Sequence, residues 1–316
     1  MKTVPEIVGI GECLIEFNQT SPYIYQQALA GDVMNTLFYA SRLGRQTGII
    51  STIGDDPFSV DILDFLKKER IDQSLVVRVS GKPNGMYFIQ LDNSGEPSFS
   101  FRRSDSAARE LFDHIDIEKI ARYILAAKVF HFSAIPLAIL KRRDRLFELL
   151  ELINGKVVIS FDTNVRKSIW TNLSELVDLL PKLSHFVNTI FVTETDDEAL
   201  FGVRDTNSIF QFYSNLGYQN IILKQGAKGA AFSQDGKIVS IPTPKDVNVL
   251  DATGAGDAFN AGFLHGMLQD WNPLRCVSFG NAVAACAIQE RGGIALGFDK
   301  ALAMKYFDEI ERSVRA

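Results

Sequence analysis

Residues 250–263 read LDATGAGDAFNAGF. Before this stretch, Val247-Asn248-Val249-Leu250 has the composition of a short strand; after it, Ala258 to Met267 is apolar with small residues at 258, 261 and 262, which predicts a buried helix. The Gly254-Ala255-Gly256-Asp257 turn is therefore expected between the carboxyl end of a strand and the amino end of a helix. Helix N-termini leave backbone N–H groups unpaired and carry partial positive charge, so they bind phosphate well. Glycines at 254 and 256 let anionic oxygens approach those groups closely. Asp257 is surplus to this design, because a carboxylate repels phosphate. Its presence makes sense if it takes a proton from an alcohol that attacks phosphorus. A free aspartate is ionised at neutral pH, its reference pKa being about 3.9. The competing reading is a plain turn with Asp257 as a helix cap, and the local residues leave both open.

The surrounding chain alternates helix and strand from about residue 116. Asp116 is placed to cap a helix through Ile117, Ile120, Ala121, Ile124 and Leu125. VFHFSAI (129–135) follows, then a helix stopped by Asn154-Gly155, then the buried strand KVVISFD (156–162). The cycle repeats through SELVDLLPKL, HFVNTIFVT, SIFQFYSNLG and NIILKQG. Continuous apolar strands separated by helices predict an α/β fold with a mostly parallel sheet covered on both faces. Ligands bind beyond the carboxyl ends of such strands. Asn164 and Arg166 follow one strand and Lys224-Gln225-Gly226, with Gly229, follow another. Lys224 is open to a solvated alternative, and Asp162 reads equally as a structural cap or a ligand contact.

The first hundred residues have a different pattern. MYFIQL (86–91) and PSFSFR (97–102) flank Asp92-Asn93-Ser94-Gly95-Glu96, which predicts a β-hairpin. Alternation places Phe99, Phe101 and Arg103 on one face. An arginine beside two aromatics suits a flap over an anionic ligand; a strand-end arginine reaching water is the equal alternative.

Bulk properties narrow the function classes. The chain has 316 residues, 46% hydrophobic and 22% charged, and a formal net charge of −5, which argues against nucleic-acid or membrane partners. The basic run Lys141-Arg142-Arg143-Asp144-Arg145 reads as a solvated helix face. Cys13, Cys276 and Cys286 suggest reduced thiols, and histidines at 114, 131, 185 and 265 lack metal-ligand spacing. The N-terminus lacks a secretory h-region, and ILAAKVFHFSAIPLAIL is interrupted by Lys128, His131 and Pro136, so a cytoplasmic protein is expected. No Gly-Lys-Ser/Thr completes a Walker A loop. GIGECL (9–14) begins like a dinucleotide fingerprint, but Leu14 stands where the third glycine belongs. No Pro- or Ser-rich linker divides the chain, so residues 1–316 are read as one domain carrying a β-lid from segments near 12–30 and 84–103.

Asp251-Ala252-Thr253-Gly254-Ala255-Gly256-Asp257-Ala258-Phe259 resembles the signature of the ribokinase-like sugar kinases, the PfkB family. GECLIEF (11–17), AGDVMNTLFYASRLG (30–44), STIGDDPFS (51–59) and KQGAKGA (224–230) are similar to the family's other marks, in order along nearly the whole chain. The resemblance implies a ribokinase-like fold with a lid, ATP with Mg²⁺, Asp257 as base, and the backbone of Gly254, Ala255 and Gly256 as anion hole. AGDVMNT, GMYFIQLDNSGEPSFSFRRSDSAA, SAIPLAIL and FDTNVRKSIW look most like the 2-keto-3-deoxygluconate kinases within that family. That likeness implies sugar contacts from Gly31, Asp32, Asn35, Tyr87, Phe101, Arg103 and Arg166, with Arg103 facing a sugar-acid carboxylate. It implies nucleotide contacts from Asn164, Arg166, Lys224, Gly226, Gly229, Gly254, Gly256 and Asn281, the last equally readable as a packing residue. Fructokinases also carry an arginine at the Arg103 position, which keeps a hexose kinase as the alternative. A catalytically silent sugar or nucleotide sensor is the alternative of another class. Phe101 stands where tyrosine is common, and Thr193-Glu194-Thr195-Asp196 keeps only the acidic end of an Asn-x-x-Glu element, so the metal ligand is left unassigned. A monovalent cation near Asp251 and a homo-oligomer paired through the lids are further expectations.

Overall fold

The computed structural model describes residues 4–91, 97–234 and 236–315. The hairpin loop expected at Asp92 to Glu96 lies outside the described residues. Strands are β1 (Ile7–Ile10), β2 (Leu14–Ser21), β3 (Ile24–Ala30), β4 (Thr47–Ile53), β5 (Ile71–Arg78), β6 (Met86–Leu91), β7 (Pro97–Arg102), β8 (Val129–Ser133), β9 (Val158–Asp162), β10 (Thr189–Thr193), β11 (Asn220–Lys224), β12 (Ala230–Gln234) and β13 (Lys237–Ile241). Helices are α1 (Asp32–Arg42), α2 (Phe58–Lys68), α3 (Leu111–His114), α4 (Ile117–Leu125), α5 (Ala134–Ile139), α6 (Arg143–Ile153), α7 (Ser174–Leu183), α8 (Glu194–Phe201), α9 (Thr206–Asn215), α10 (Ala255–Met267), α11 (Pro273–Ala287) and α12 (Lys300–Arg315).

The large sheet runs β13-β12-β11-β10-β9-β8-β1-β4-β5, parallel except where β12 pairs with β11 and β13. Its central strands are apolar without alternation because helices cover both faces: IVGI of β1, TGIISTI of β4 and VFHFS of β8 are buried at every position. One core lies under α1, α10, α11 and α12, the other under α4, α6, α7 and α9. A smaller sheet, β3-β2-β6-β7, joins two excursions of the chain, with Glu16 opposite Tyr87 on β2 and β6 and Tyr87 opposite Phe101 on β7.

Local signals translate directly in most places. Asp116 caps α4 by accepting from the Lys119 N–H at 3.0 Å, and Asn154 closes α6. Lys141 to Arg145 are dispersed over ion pairs with Glu110, Asp144, Glu175 and Glu148. The three cysteines are buried and free. Among the described residues no helix is long and apolar enough to cross a membrane.

The strand expected at Val247–Leu250 is absent: these residues form irregular chain, with Val249 and Leu250 more than half exposed. The N–H groups of Leu250 and Asp251 both turn to one carbonyl, Ile288, at the end of α11, so no ladder forms. The following helix starts at Ala255 rather than Ala258, which puts Asp257 inside its first turn.

Helix α10 lies against α11 through glycines. A Cβ on Gly262 would stand 2.8 Å from the Phe279 carbonyl oxygen, and one on Gly280 would stand 2.8 Å from the Phe259 ring. This close approach holds the helix that carries Asp257. Gly262→Val is expected to destabilise the fold by about 1–3 kcal/mol, as overpacking does, read as a lower urea midpoint with unchanged slope.

Candidate active site

Asp257 opens into a cleft of about 530 Å³ between the smaller sheet and the carboxyl ends of the central strands. Gly254 caps α10 in the left-handed region, φ 75°, and a Cβ there would lie 2.4 Å from the Gly293 carbonyl oxygen. Only glycine fits both demands. Within the turn, Ala255 N–H already donates to the Ala252 carbonyl at 3.2 Å. The helix hydrogen-bond pattern leaves the N–H groups of Gly256 and Asp257 as the cradle's remaining donors.

At the α1 end of the cleft, Gly31 caps α1 at φ 142°, where a Cβ would meet the Glu12 carbonyl oxygen at 2.2 Å. Asp32 begins the helix and accepts from Asn164 Nδ2 at 3.0 Å. Asn35, one turn later, donates from Nδ2 to Asp257 Oδ2 at 2.8 Å. Tyr87 and Phe101 stack with ring centroids 5.4 Å apart. The Tyr87 hydroxyl is turned to Glu16 on the neighbouring strand. Arg103 is 7% exposed, so it does not reach water; it forms an ion pair with buried Glu12, which also accepts from Ser106 Oγ at 2.6 Å. Arg103 Nε has no hydrogen-bond partner among the described residues. Arg166 is exposed at the rim.

On the other side of Asp257, Lys224 is buried at the end of β11 and is not a solvated side chain. Its Nζ lies 2.7 Å from Asp162 Oδ2 and 3.3 Å from Asn260 Oδ1, and 3.1 Å from where a Cβ on Gly256 would be. Asp162 thus serves as an ion-pair partner, while also accepting from the Asn164 N–H at 3.2 Å in a loop where Asn164 adopts φ 26°. Asp196 accepts from Thr163 Oγ1 at 2.8 Å and from Val165 N–H at 3.0 Å, so it fixes that same loop.

Ala255, Gly226, Gly229 and Asn281 are not among the residues lining this cleft. Gly226 and Gly229 both have positive φ in the turn after β11. Asn281 donates its amide to the carbonyls of Ile241 and Pro242 at 3.0 and 3.1 Å, tying α11 to the end of β13. Asp251 accepts from the Thr253 and Gly292 N–H groups, each at 2.8 Å.

The charges act on one another. Burial pushes the Asp257 carboxyl well above its usual range, and the Asp32 and Asp162 charges add to this while Asn35 and Lys224 oppose it. Asp32 is raised by burial and by Asp162, and Asp196 likewise. Burial also works to raise Asp162, but Lys224 and Asn260 hold it below the ordinary value. His131 beneath is pushed down to about 4 by burial and adds no charge at neutral pH. The result is a carboxyl group with raised proton affinity beside a lysine and a helix terminus, chemistry that could take a proton from an alcohol next to an anion.

Glu12, Glu16, Asn260, Thr36 and Tyr39 also build the site, and sequence reasoning assigns none of them a role. The one visible signal was a pair of glutamates, 12 and 16, inside the otherwise apolar GECLIEF.

The model of the pfkB family carbohydrate kinases matches residues 5–300. A 2-dehydro-3-deoxygluconokinase of Haemophilus influenzae is 34% identical over 301 residues, covering 92% of this chain and 95% of the relative. A fructokinase of Vibrio cholerae O395, solved with fructose, ADP and calcium ion, superposes with a TM-score of 0.83 at 22% identity, covering 96% of this chain and 100% of that one. Aminoimidazole riboside kinase of Salmonella enterica, solved with its riboside and an ATP analogue, gives 0.82 at 22% identity over 95% and 99% of the two chains. The fold is ribokinase-like, and the chain belongs to the pfkB family of carbohydrate kinases and is a sugar kinase.

Proposed function

We propose that this kinase transfers the terminal phosphoryl group of ATP to the C6 hydroxyl of 2-keto-3-deoxygluconate. The carrying observation is Asp257, buried in the first turn of α10 with the Lys224 ammonium beside the same turn. The sugar hydroxyl gives its proton to the Asp257 carboxylate as its oxygen bonds to the γ-phosphorus, and the bond to the β-γ bridging oxygen breaks, releasing ADP. The N–H groups of Gly256 and Asp257, with Lys224, meet the charge on the moving phosphoryl group. Asp32 and the Arg103 guanidinium hold the sugar, and Arg166 and Asn164 stand where sugar and triphosphate would meet.

Among the described residues no group of three or more His, Cys, Asp or Glu side chains is arranged to hold a metal. Mg²⁺ would arrive on ATP, since the ion keeps most of its water and takes phosphate oxygens with one or two carboxylates. Asp196, whose two oxygens already brace the β9 loop, is the carboxylate we assign to its outer sphere, and the ion would neutralise phosphate charge. The monovalent cation remains part of the proposal near Asp251, whose carboxylate is engaged by two N–H groups, leaving backbone carbonyls of that loop to hold it.

The substrate reading draws on the 2-dehydro-3-deoxygluconokinase relative and on Arg103. A second reading, a fructokinase or other hexose kinase, is favoured by the Arg103–Glu12 ion pair, which neutralises the charge meant for a sugar acid. A panel of sugars and sugar acids in an ADP-release assay separates them: turnover confined to keto-deoxy acids is expected, and turnover confined to neutral hexoses overturns it. Arg103→Ala should raise KM for the acid more than for any neutral sugar that turns over.

Asp257→Asn is expected to lower kcat by about 10²–10⁴-fold with sugar affinity kept. Intact turnover would remove the base assignment and favour a binding role. Because Asp257 has a raised proton affinity and must be unprotonated to act, kcat/KM should fall as pH drops through an apparent pKa above the usual carboxylate range. That limb should vanish in Asp257→Asn.

A further inference from the structure

Helix α1 reaches Asp257 at two points. Asn35 Nδ2 donates to Asp257 Oδ2 at 2.8 Å, and Thr36 Oγ1 donates to the Asp257 backbone carbonyl at 3.2 Å. Both residues are buried, Asn35 at 4% exposure and Thr36 at 0%. Asn35 Oδ1 has no hydrogen-bond partner among the described residues, so the amide is oriented by the carboxylate it serves. The Gly293 backbone backs it: a Cβ there would lie 2.7 Å from Asn35 Nδ2. Three residues after Thr36, the Tyr39 hydroxyl donates to the Gly293 carbonyl at 3.2 Å and accepts from the Ala295 N–H at 2.9 Å, which fixes that backing.

We infer that Asn35, seconded by Thr36, is a positioning residue for Asp257: it fixes the carboxylate's direction and favours its unprotonated form. This rests on the reading of Asp257 as the base. An amide N–H donates a stronger hydrogen bond to a carboxylate than to the neutral acid, so its removal favours the acid. The other groups that act on Asp257 are Asp32 of α1, Asp162 at the end of β9 and Lys224 at the end of β11. The two carboxylates favour the protonated form and Lys224 opposes it. Asn35 is thus the neutral member of a set in which the anions outnumber the cation. The Gly-Asp turn that begins α1 and the base on α10 are held in register by one helical turn of side chains.

The test is the pH dependence of kcat/KM for the intact enzyme with the sugar that the substrate panel selects. Asn35→Ala should move the acidic limb upward by about 1–2 pH units, the size of a hydrogen bond to a charged group. Asn35→Asp, nearly the same shape, sets a carboxyl group against Asp257 and should move the limb further. Thr36→Val should lower the plateau rate and leave the limb where it is. Thermal unfolding in the same buffer identifies any variant that fails to fold, and the isosteric Asn35→Asp carries the test if Asn35→Ala does. A uniform loss of rate with an unmoved limb in both Asn35 variants would overturn the inference even where Asp257→Asn lowers turnover as expected. Retained turnover in Asp257→Asn would overturn the base reading and this inference with it.

Discussion

The cleft depends on two buried cations, Lys224 and Arg103. Asp32, Asp162, Asp196 and Asp257 converge on the carboxyl ends of β9 to β11 and the starts of α1, α8 and α10; Asp162, Asp196 and Asp257 are buried and Asp32 is partly buried. Burying carboxylates this close to one another is costly unless a counterion is buried with them. Lys224 is that counterion at the end of β11, held by Asp162 and Asn260. Arg103 does the same beside the smaller sheet against Glu12. Both cations are held by buried partners. Both still line it, so each can turn a donor to an incoming anion.

This explains an apparent conflict between helix and base. The N-terminus of α10 favours any anion, and an unprotonated Asp257 would sit there comfortably if it were alone. Burial and the neighbouring aspartates work the other way. The net effect is a carboxyl group with more affinity for a proton than an exposed aspartate, which is what a base needs when it must hold the proton of an alcohol during transfer. A reference pKa of about 3.9 therefore understates this residue's basicity.

What could be read in the sequence was local or periodic. The fold class followed from apolar strands between helices, and α4 and α7 are set by a cap and by apolar spacing. Asp257 was visible because a carboxylate in a glycine-rich helix start breaks a local rule. The irregular path of Val247 to Leu250 was not, because its β-branched residues signal a strand only when a partner ladder exists, and the neighbouring carbonyl of Ile288 takes both N–H groups instead. Nor could spacing show that Arg103 meets Glu12, or that Asn35 turns to Asp257 across 222 positions of chain. Such pairings belong to the tertiary fold.

The Thr193–Asp196 turn shows how a departure from a family pattern can be self-consistent. Thr193 caps α8 by accepting from the Asp196 N–H at 2.9 Å, which a short hydroxyl does well. That cap directs the Asp196 carboxylate across to Thr163 Oγ1 and Val165 N–H, on the loop where Asn164 adopts its left-handed conformation. A non-glycine residue at φ 26° is strained and persists only where its surroundings determine it. Here three carboxylates do so: Asp196 holds the residues on either side, Asp162 holds the Asn164 N–H, and Asp32 holds its side chain. The shorter acid at position 196 is thus suited to bracing the loop that lines the cleft.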